Sequence, residues 1–263
     1  MRSSEWVALV YFAVLVAAAW IRPLPLARRL SITAVGLAMC AALAWLSING
    51  TRVERDWAPV AIILVGYYLS GRFFFRPSVS FERWLAHWDD RWLGDAADRF
   101  SSWPTVMSSA LELTYIGTFL LIPVGCALLL VGGHTSSLNR YWTMVTAAEF
   151  GAFGPLAFIQ TRPPWALESA RKEKPKGIEG IVRRCGLFWV RHTSHCANTF
   201  PSGHAAGSLA VALAVLPLMP LAGAVLLIVA LMISVGCITG RYHYTVDVLA
   251  GIALALALWA ILA

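Results

Sequence analysis

Charge is scarce in this 263-residue chain: Asp, Glu, Lys and Arg make up 13% of it, against 59% hydrophobic residues, and the mean hydropathy is +0.67. A soluble globule carries about 25% charged residues. The shortfall excludes a disordered chain, a nucleic-acid-binding module and an ordinary cytosolic enzyme, and leaves a polytopic membrane protein. Internal repeats and low-complexity segments are missing. No small-residue cleavage site follows the first apolar run, so that run reads as a retained helix ending at Arg22-Pro-Leu-Pro, not as a secretory signal. Cysteines are few and odd in number, and Cys40, Cys126 and Cys237 lie in apolar segments where they are expected to pack as small hydrophobes. Clustered carboxylates are absent from the apolar segments. Glu112 and Glu149 fall singly on different ones, which points to hydrogen-bonding roles, with Glu149 placed to line a cavity, and suggests no metal site.

What is present is a series of apolar runs. Crossing about 30 Å of hydrocarbon takes about 20 apolar residues. Eight runs qualify: residues 6–21, 30–48, 57–71, 106–131, 142–159, 202–216, 218–238 and 245–263, of which the first, third and sixth are short. The expectation is an all-α polytopic transmembrane helical bundle, with N-terminal transmembrane helices in 1–75 and the remaining spans in 105–263. Between them, in 76–104, Trp84, Trp88 and Trp92 recur every four residues among Asp89, Asp90, Arg91 and Asp95. Such a stripe suits an amphipathic helix lying in the membrane interface, or one packed on the bundle. With eight spans, 17 of the 21 Lys and Arg fall in the loops at 22–29, 72–105, 160–201 and 239–244. The positive-inside rule makes that side cytoplasmic.

Three polar clusters interrupt the apolar pattern, all at that side: Gln160-Thr-Arg-Pro-Pro-Trp165, Asn198-Thr-Phe-Pro-Ser-Gly-His204 and Thr239-Gly-Arg-Tyr-His-Tyr-Thr-Val-Asp247. Polar residues at membrane depth are costly, so their convergence marks a site. His243 and Asp247 are four apart and are expected to share a face at the start of the last span. A carboxylate there fixes one imidazole tautomer and leaves the other nitrogen free to attack. Pro201-Ser202-Gly203-His204 opens a helix, whose free N–H groups and hydroxyl suit phosphate, and His204 in its first turn can protonate a leaving oxygen. Arg162 and Arg241 add fixed positive charge for phosphoryl oxygens. Together these form a phosphoryl-transfer set.

At these residues the chain resembles the type 2 phosphatidic acid phosphatase superfamily, whose signature runs Lys-x6-Arg-Pro, Pro-Ser-Gly-His and Ser-Arg-x5-His-x3-Asp. The second part is present whole as Pro201 to His204, while Arg162-Pro163 and His243-x3-Asp247 match the ends of the first and third. The resemblance covers roughly 105–263 and implies a catalytic helix core of that type. It implies His243 as nucleophile, Asp247 as its orienter and His204 as general acid, with phosphate held by Arg162, Ser202 and Gly203. It also implies no cofactor. Pro155 and Cys237 stand where the signature has Lys and Arg, so phosphate clamping is weaker, or rebuilt from Arg241 and a loop residue such as Lys172.

The resemblance implies an integral membrane lipid phosphate phosphatase, of a bacterial inner (plasma) membrane, acting on a lipid phosphate or phospholipid through a phosphohistidine. The His-Tyr-Thr-Val-Asp segment also resembles the inositol phosphorylceramide and sphingomyelin synthase branch, which passes a phospho-headgroup to a lipid alcohol. A transporter is a third reading, but no correspondence between halves supports it. The superfamily's usual face is extracytoplasmic, whereas the loop charges argue for the cytoplasmic side. In the loop, Cys185 and Cys196 with His192 and His195 read as two free thiols, a disulfide or a zinc site according to compartment. The basic stretch 171–176 reads as a solvated loop or a collector of anionic headgroups.

Overall fold

A helix buried on most sides is mostly apolar or small, and two helices of this chain come near that description, one of them with Glu149 as a buried acidic exception. In the computed structural model, which describes residues 1–94, 100, 103–168, 188 and 197–262, they form the centre of an all-α bundle. Among the described residues there is no strand. The N-terminal helices are α1 (Ser3–Ile21), α2 (Leu26–Asn49) and α3 (Arg52–Gly71), followed by α4 (Val79–Leu93). Then come α5 (Thr105–Ile116), α6 (Thr118–Val131), α7 (Leu138–Phe153), the short α8 (Pro164–Glu168), α9 (Gly203–Val215), α10 (Pro220–Thr239) and α11 (Thr245–Leu262).

The two central helices are α7 and α9. In α7 Leu138, Tyr141, Trp142, Val145, Ala148, Phe150 and Phe153 are all buried. In α9 small residues at Gly203, Ala205, Ala206, Gly207, Ala210 and Ala212 let neighbours approach closely. Tyr11 of α1 stacks on Phe150, with ring centroids 3.9 Å apart and planes within 5°, and donates its hydroxyl proton to Gly66 O at 2.8 Å. This ties the N-terminal helices to the core. Cys126 and Cys237 are buried, Cys40 is half-buried, and all three are free thiols.

The span count differs from the sequence expectation. Among the described residues α1, α2, α10 and α11 are each long and apolar enough to cross a membrane, and α5 and α6, bent by 66° between them, reach that length only as a pair, as a broken span or a re-entrant loop. Helix α3 opens with Arg52, Glu54, Arg55 and Asp56, which exceed what an apolar span carries, and α7 and α9 have only 16 and 13 residues. The expected continuous helix over 106–131 breaks at Gly117 for local reasons. Glycine is a poor helix former. Thr118 Oγ1 donates to Tyr115 O at 2.7 Å, a side-chain bond that competes with the backbone.

Loops at the two ends are joined by distinct contacts. At one end Arg28 donates to Phe74 O, and Gln160 donates to Phe73 O and accepts from the amides of Phe75 and Arg76. At the other, Arg55 pairs with Glu5 at 2.7 Å and Arg2 with Asp56 at 2.6 Å. The three polar clusters meet at the first end.

Candidate active site

The third cluster is shaped by the end of α10. The amide of Arg241 donates to Ile238 O at 3.0 Å and that of Tyr242 to Cys237 O at 2.9 Å. These are the two bonds of a Schellman stop, which places its turning residue in the left-handed region, where glycine is usual. Here the turning residue is Arg241, at φ 57°. A non-glycine residue in that region costs about 1 kcal/mol and merits a functional explanation. The turn directs the chain so that Arg241 Nη1 reaches Asp89 Oδ2 at 2.8 Å and the next residues enter the bundle.

His243 follows, 4% exposed. It does not lie on the helix as the spacing suggested. Helix α11 begins at Thr245, and His243 occupies the preceding turn. Asp247, in the first turn of α11, still approaches it, with Nδ1 and Oδ2 3.6 Å apart. That exceeds hydrogen-bond reach because Oδ2 is already engaged, accepting from Asn198 Nδ2 at 2.8 Å and from the Tyr244 amide at 2.9 Å. His243 Nδ1 and Asp247 Oδ1 therefore have no partner. Burial disfavours the imidazolium and pushes the His243 pKa down to about 3, so the ring is neutral at pH 7, the form in which its nitrogen is nucleophilic.

The second cluster arrives through α9. Ser202 is the N-cap: its hydroxyl accepts the Ala205 amide at 3.4 Å, and its own amide donates to Asp247 O at 2.9 Å. Gly203 N–H donates to Thr199 Oγ1 at 3.4 Å. Both groups expected to meet phosphate thus have intramolecular partners, and Ser202 is 0% exposed. Gly251 of α11 sets the depth of the approach, since a Cβ there would sit 2.6 Å from Ser202 O. The result is that the His204 and His243 rings stand 5.5 Å apart, tilted by 59°. That separation lets both contact one tetrahedral phosphoryl group. Glu149 of α7, expected to bond or line a cavity, packs its carboxylate against Gly203 and Gly207.

The first cluster joins by backbone pairing. Thr161 and Asn198 form an isolated bridge, the Trp165 amide donates to Arg241 O at 2.9 Å, and the Tyr244 hydroxyl donates to Arg162 O at 3.3 Å. All seven residues anticipated as site residues therefore belong to one assembly. Two carboxylates that sequence reasoning did not assign complete it. Glu82 of α4 accepts from Arg162 Nε at 3.0 Å, Nη2 at 2.7 Å and the Arg162 amide at 2.7 Å. Asp89, two turns further along α4 and 1% exposed, also accepts the Thr245 amide at 2.8 Å. Their signal was the shared face of Glu82, Leu85 and Asp89, which the Trp periodicity overshadowed; Trp84 and Trp92 lie exposed on another face. Asn198, Tyr115 and Tyr242 were likewise missed, having no spacing that marks them. Cys185, Cys196, His192, His195 and the stretch 171–176 lie outside the described residues.

No curated protein and no solved structure matches the chain. A family model does, over residues 83–261, from the second turn of α4 to the end of α11. With that match spanning most of the chain and its polar clusters gathered at one end of a helical bundle, the chain belongs to the PAP2 superfamily, whose members are phosphatases and phosphotransferases.

Proposed function

We propose that the protein is an integral membrane lipid phosphate phosphatase, with His243 as nucleophile. The observation that carries this reading is the juxtaposition of the two imidazoles, 5.5 Å apart, with Asp247 behind one of them. The neutral His243 nitrogen attacks phosphorus and the bond from phosphorus to the ester oxygen breaks. With His204 entering as the imidazolium, favoured by the negative charge of the bound phosphate, that oxygen takes the electron pair and the His204 proton, which yields phosphohistidine, a neutral His204 and a free lipid alcohol. Asp247 stabilises the positive ring. Water then attacks phosphorus, His204 takes its proton, and phosphate leaves with His243 restored. Arg162 and Arg241 meet the developing charge on the phosphoryl oxygens, held in place by Glu82 and Asp89. The active site lies on the Lys/Arg-rich, cytoplasmic side of a bacterial inner membrane, and the Trp face of α4 lies in the interface.

A second reading keeps the same first half-reaction and gives the phosphoryl group to a lipid alcohol, as in the inositol phosphorylceramide and sphingomyelin synthase branch. One observation favours it. Among the described residues Arg162 and Arg241 are each paired with a carboxylate, Glu82 and Asp89. Such a balance suits a phosphodiester, with one negative charge, better than a monoester with two.

The test uses purified protein in detergent micelles with phosphatidic acid, measuring free phosphate and lipid product together. Release that disappears in His243→Ala supports the phosphatase. Headgroup transfer from a phosphodiester lipid to added diacylglycerol or ceramide, without phosphate release, selects the transferase. An undiminished rate in His243→Ala removes both.

A further inference from the structure

The two histidines are held by different means. His243 has Asp247 3.6 Å away. Among the described residues no carboxylate is paired with His204 and no hydrogen bond is made to its ring. It is held by aromatic surfaces. The Tyr115 ring stacks on it, with centroids 4.7 Å apart and planes within 17°, and Phe119 meets it edge-on at 5.7 Å. The two rings flank Gly117, where α5 gives way to α6.

Tyr115 is itself held on its other side. Tyr242 stacks on it at 3.8 Å with planes within 2°, and the Tyr242 hydroxyl donates to Glu112, one turn before Tyr115 on α5. All three partners are buried. The close approach of α10 to α5 that permits this depends on Gly236, where a Cβ would stand 2.8 Å from Leu111 O. Glu112, Tyr242, Tyr115 and His204 thus form one column that ends beside His243.

We infer that Tyr115 is the positioning residue of the general acid: its ring face, backed by Tyr242 and Glu112, sets the plane of the His204 imidazole so that its proton reaches the leaving oxygen. A stacked aromatic face fixes orientation and attracts the ring when it carries its proton. The bond changes are those already given: phosphorus to ester oxygen breaks, and the proton passes from His204 to that oxygen. The inference rests on the phosphohistidine reading.

The readout is dependence on the leaving group, which loss of structure alone does not alter. A p-nitrophenolate leaves without help, whereas an alkoxide needs its proton. Phosphate release is measured from p-nitrophenyl phosphate and from n-octyl phosphate for the wild type, His204→Ala, Tyr115→Leu and Tyr115→Phe. Tyr115→Leu is expected to lose about 10–100-fold on octyl phosphate, the scale of a misplaced acid, and under about 3-fold on p-nitrophenyl phosphate. His204→Ala should give the same split, more strongly, and Tyr115→Phe, which keeps the ring, should stay near wild type on both. Where Tyr115→Leu does not fold, Tyr115→Met replaces it. Equal loss on both substrates, or none, in a folded Tyr115 variant alongside a split in His204→Ala overturns the inference and leaves the parent reading standing. No split in His204→Ala, or full activity in His243→Ala, overturns the parent reading and the inference with it.

Discussion

The two ends of the bundle carry similar ionic chemistry with different degrees of completion. At the end away from the histidines, Glu5 accepts from Arg55 Nε and Nη2 and from the Arg2 amide, while Arg2 reaches Asp56 and Arg55 O. Glu5 and Asp56 each have a cationic partner, although Thr146 Oγ1, lining the same cavity as Glu5 and Arg55, is buried without one. At the histidine end, Glu82 and Asp89 hold Arg162 and Arg241 just as tightly, but His243 Nδ1, Asp247 Oδ1, Asn198 Oδ1 and Thr245 Oγ1 are buried without partners. Unsatisfied buried polar atoms cost about 1–3 kcal/mol each. On the proposed reading, the unsatisfied atoms at the histidine end are hydrogen-bonding capacity kept for what the site binds.

The sharpest way to break this contrast is at His243. His243→Ala should lower phosphate release by about 10⁴-fold or more while the melting temperature holds or rises, since an unsatisfied group is removed. A fall in both would place His243 among the structural residues. Arg55→Met at the opposite end should do the reverse, costing about 3 kcal/mol by stranding the buried Glu5 charge with kcat of the folded protein unchanged. Denaturation in mixed micelles reads the first and initial rates the second. Gly251→Val pushes α9, which carries His204, from α11, whose preceding turn carries His243, and should lower kcat about 10²-fold with a smaller change in KM.

A pH series sharpens the contrast further. His243 binds its proton less readily folded than unfolded, so between the ordinary value near 6.5 and about 3 the unfolded chain takes up more protons. The contribution to stability is complete above 6.5 and falls as pH drops through that window. Correspondingly, kcat/KM should show no acid limb at 6.5 from His243, and one there would mean a solvated ring. The groups facing it are His204 of α9 and Asp247 of α11. The smallest effect expected is in the stability of Arg241→Gly. Relief of the left-handed backbone gains about 1 kcal/mol, which offsets only part of the cost of stranding the buried Asp89 carboxylate, so the melting point falls by less than in Arg55→Met while activity falls. A large drop in melting point would assign Arg241 to structure alone.

Residues with a local signature were legible in the chain. His243 and Asp247 announce themselves by spacing, and Pro201 to His204 by a helix-opening motif. Glu82 and Asp89 do not, because their partners Arg162 and Arg241 lie 80 and 152 residues away. The break at Gly117 was hidden for another reason: mean apolarity over 106–131 is high throughout, and periodicity averages over a single glycine.

Composition by itself determined that the chain is a helical membrane protein, because a backbone in hydrocarbon must satisfy its polar groups within each segment. The order of motifs pointed to phosphoryl-group chemistry and to the loops that carry its candidate residues. Only the tertiary structure decided that α4 supplies the carboxylates for both arginines, that Asp247 stops 3.6 Å short of His243, and that Tyr115 backs His204. Those outcomes depend on how closely helices approach at Gly236 and Gly251, a distance set by packing between remote segments and written in no single stretch of the chain.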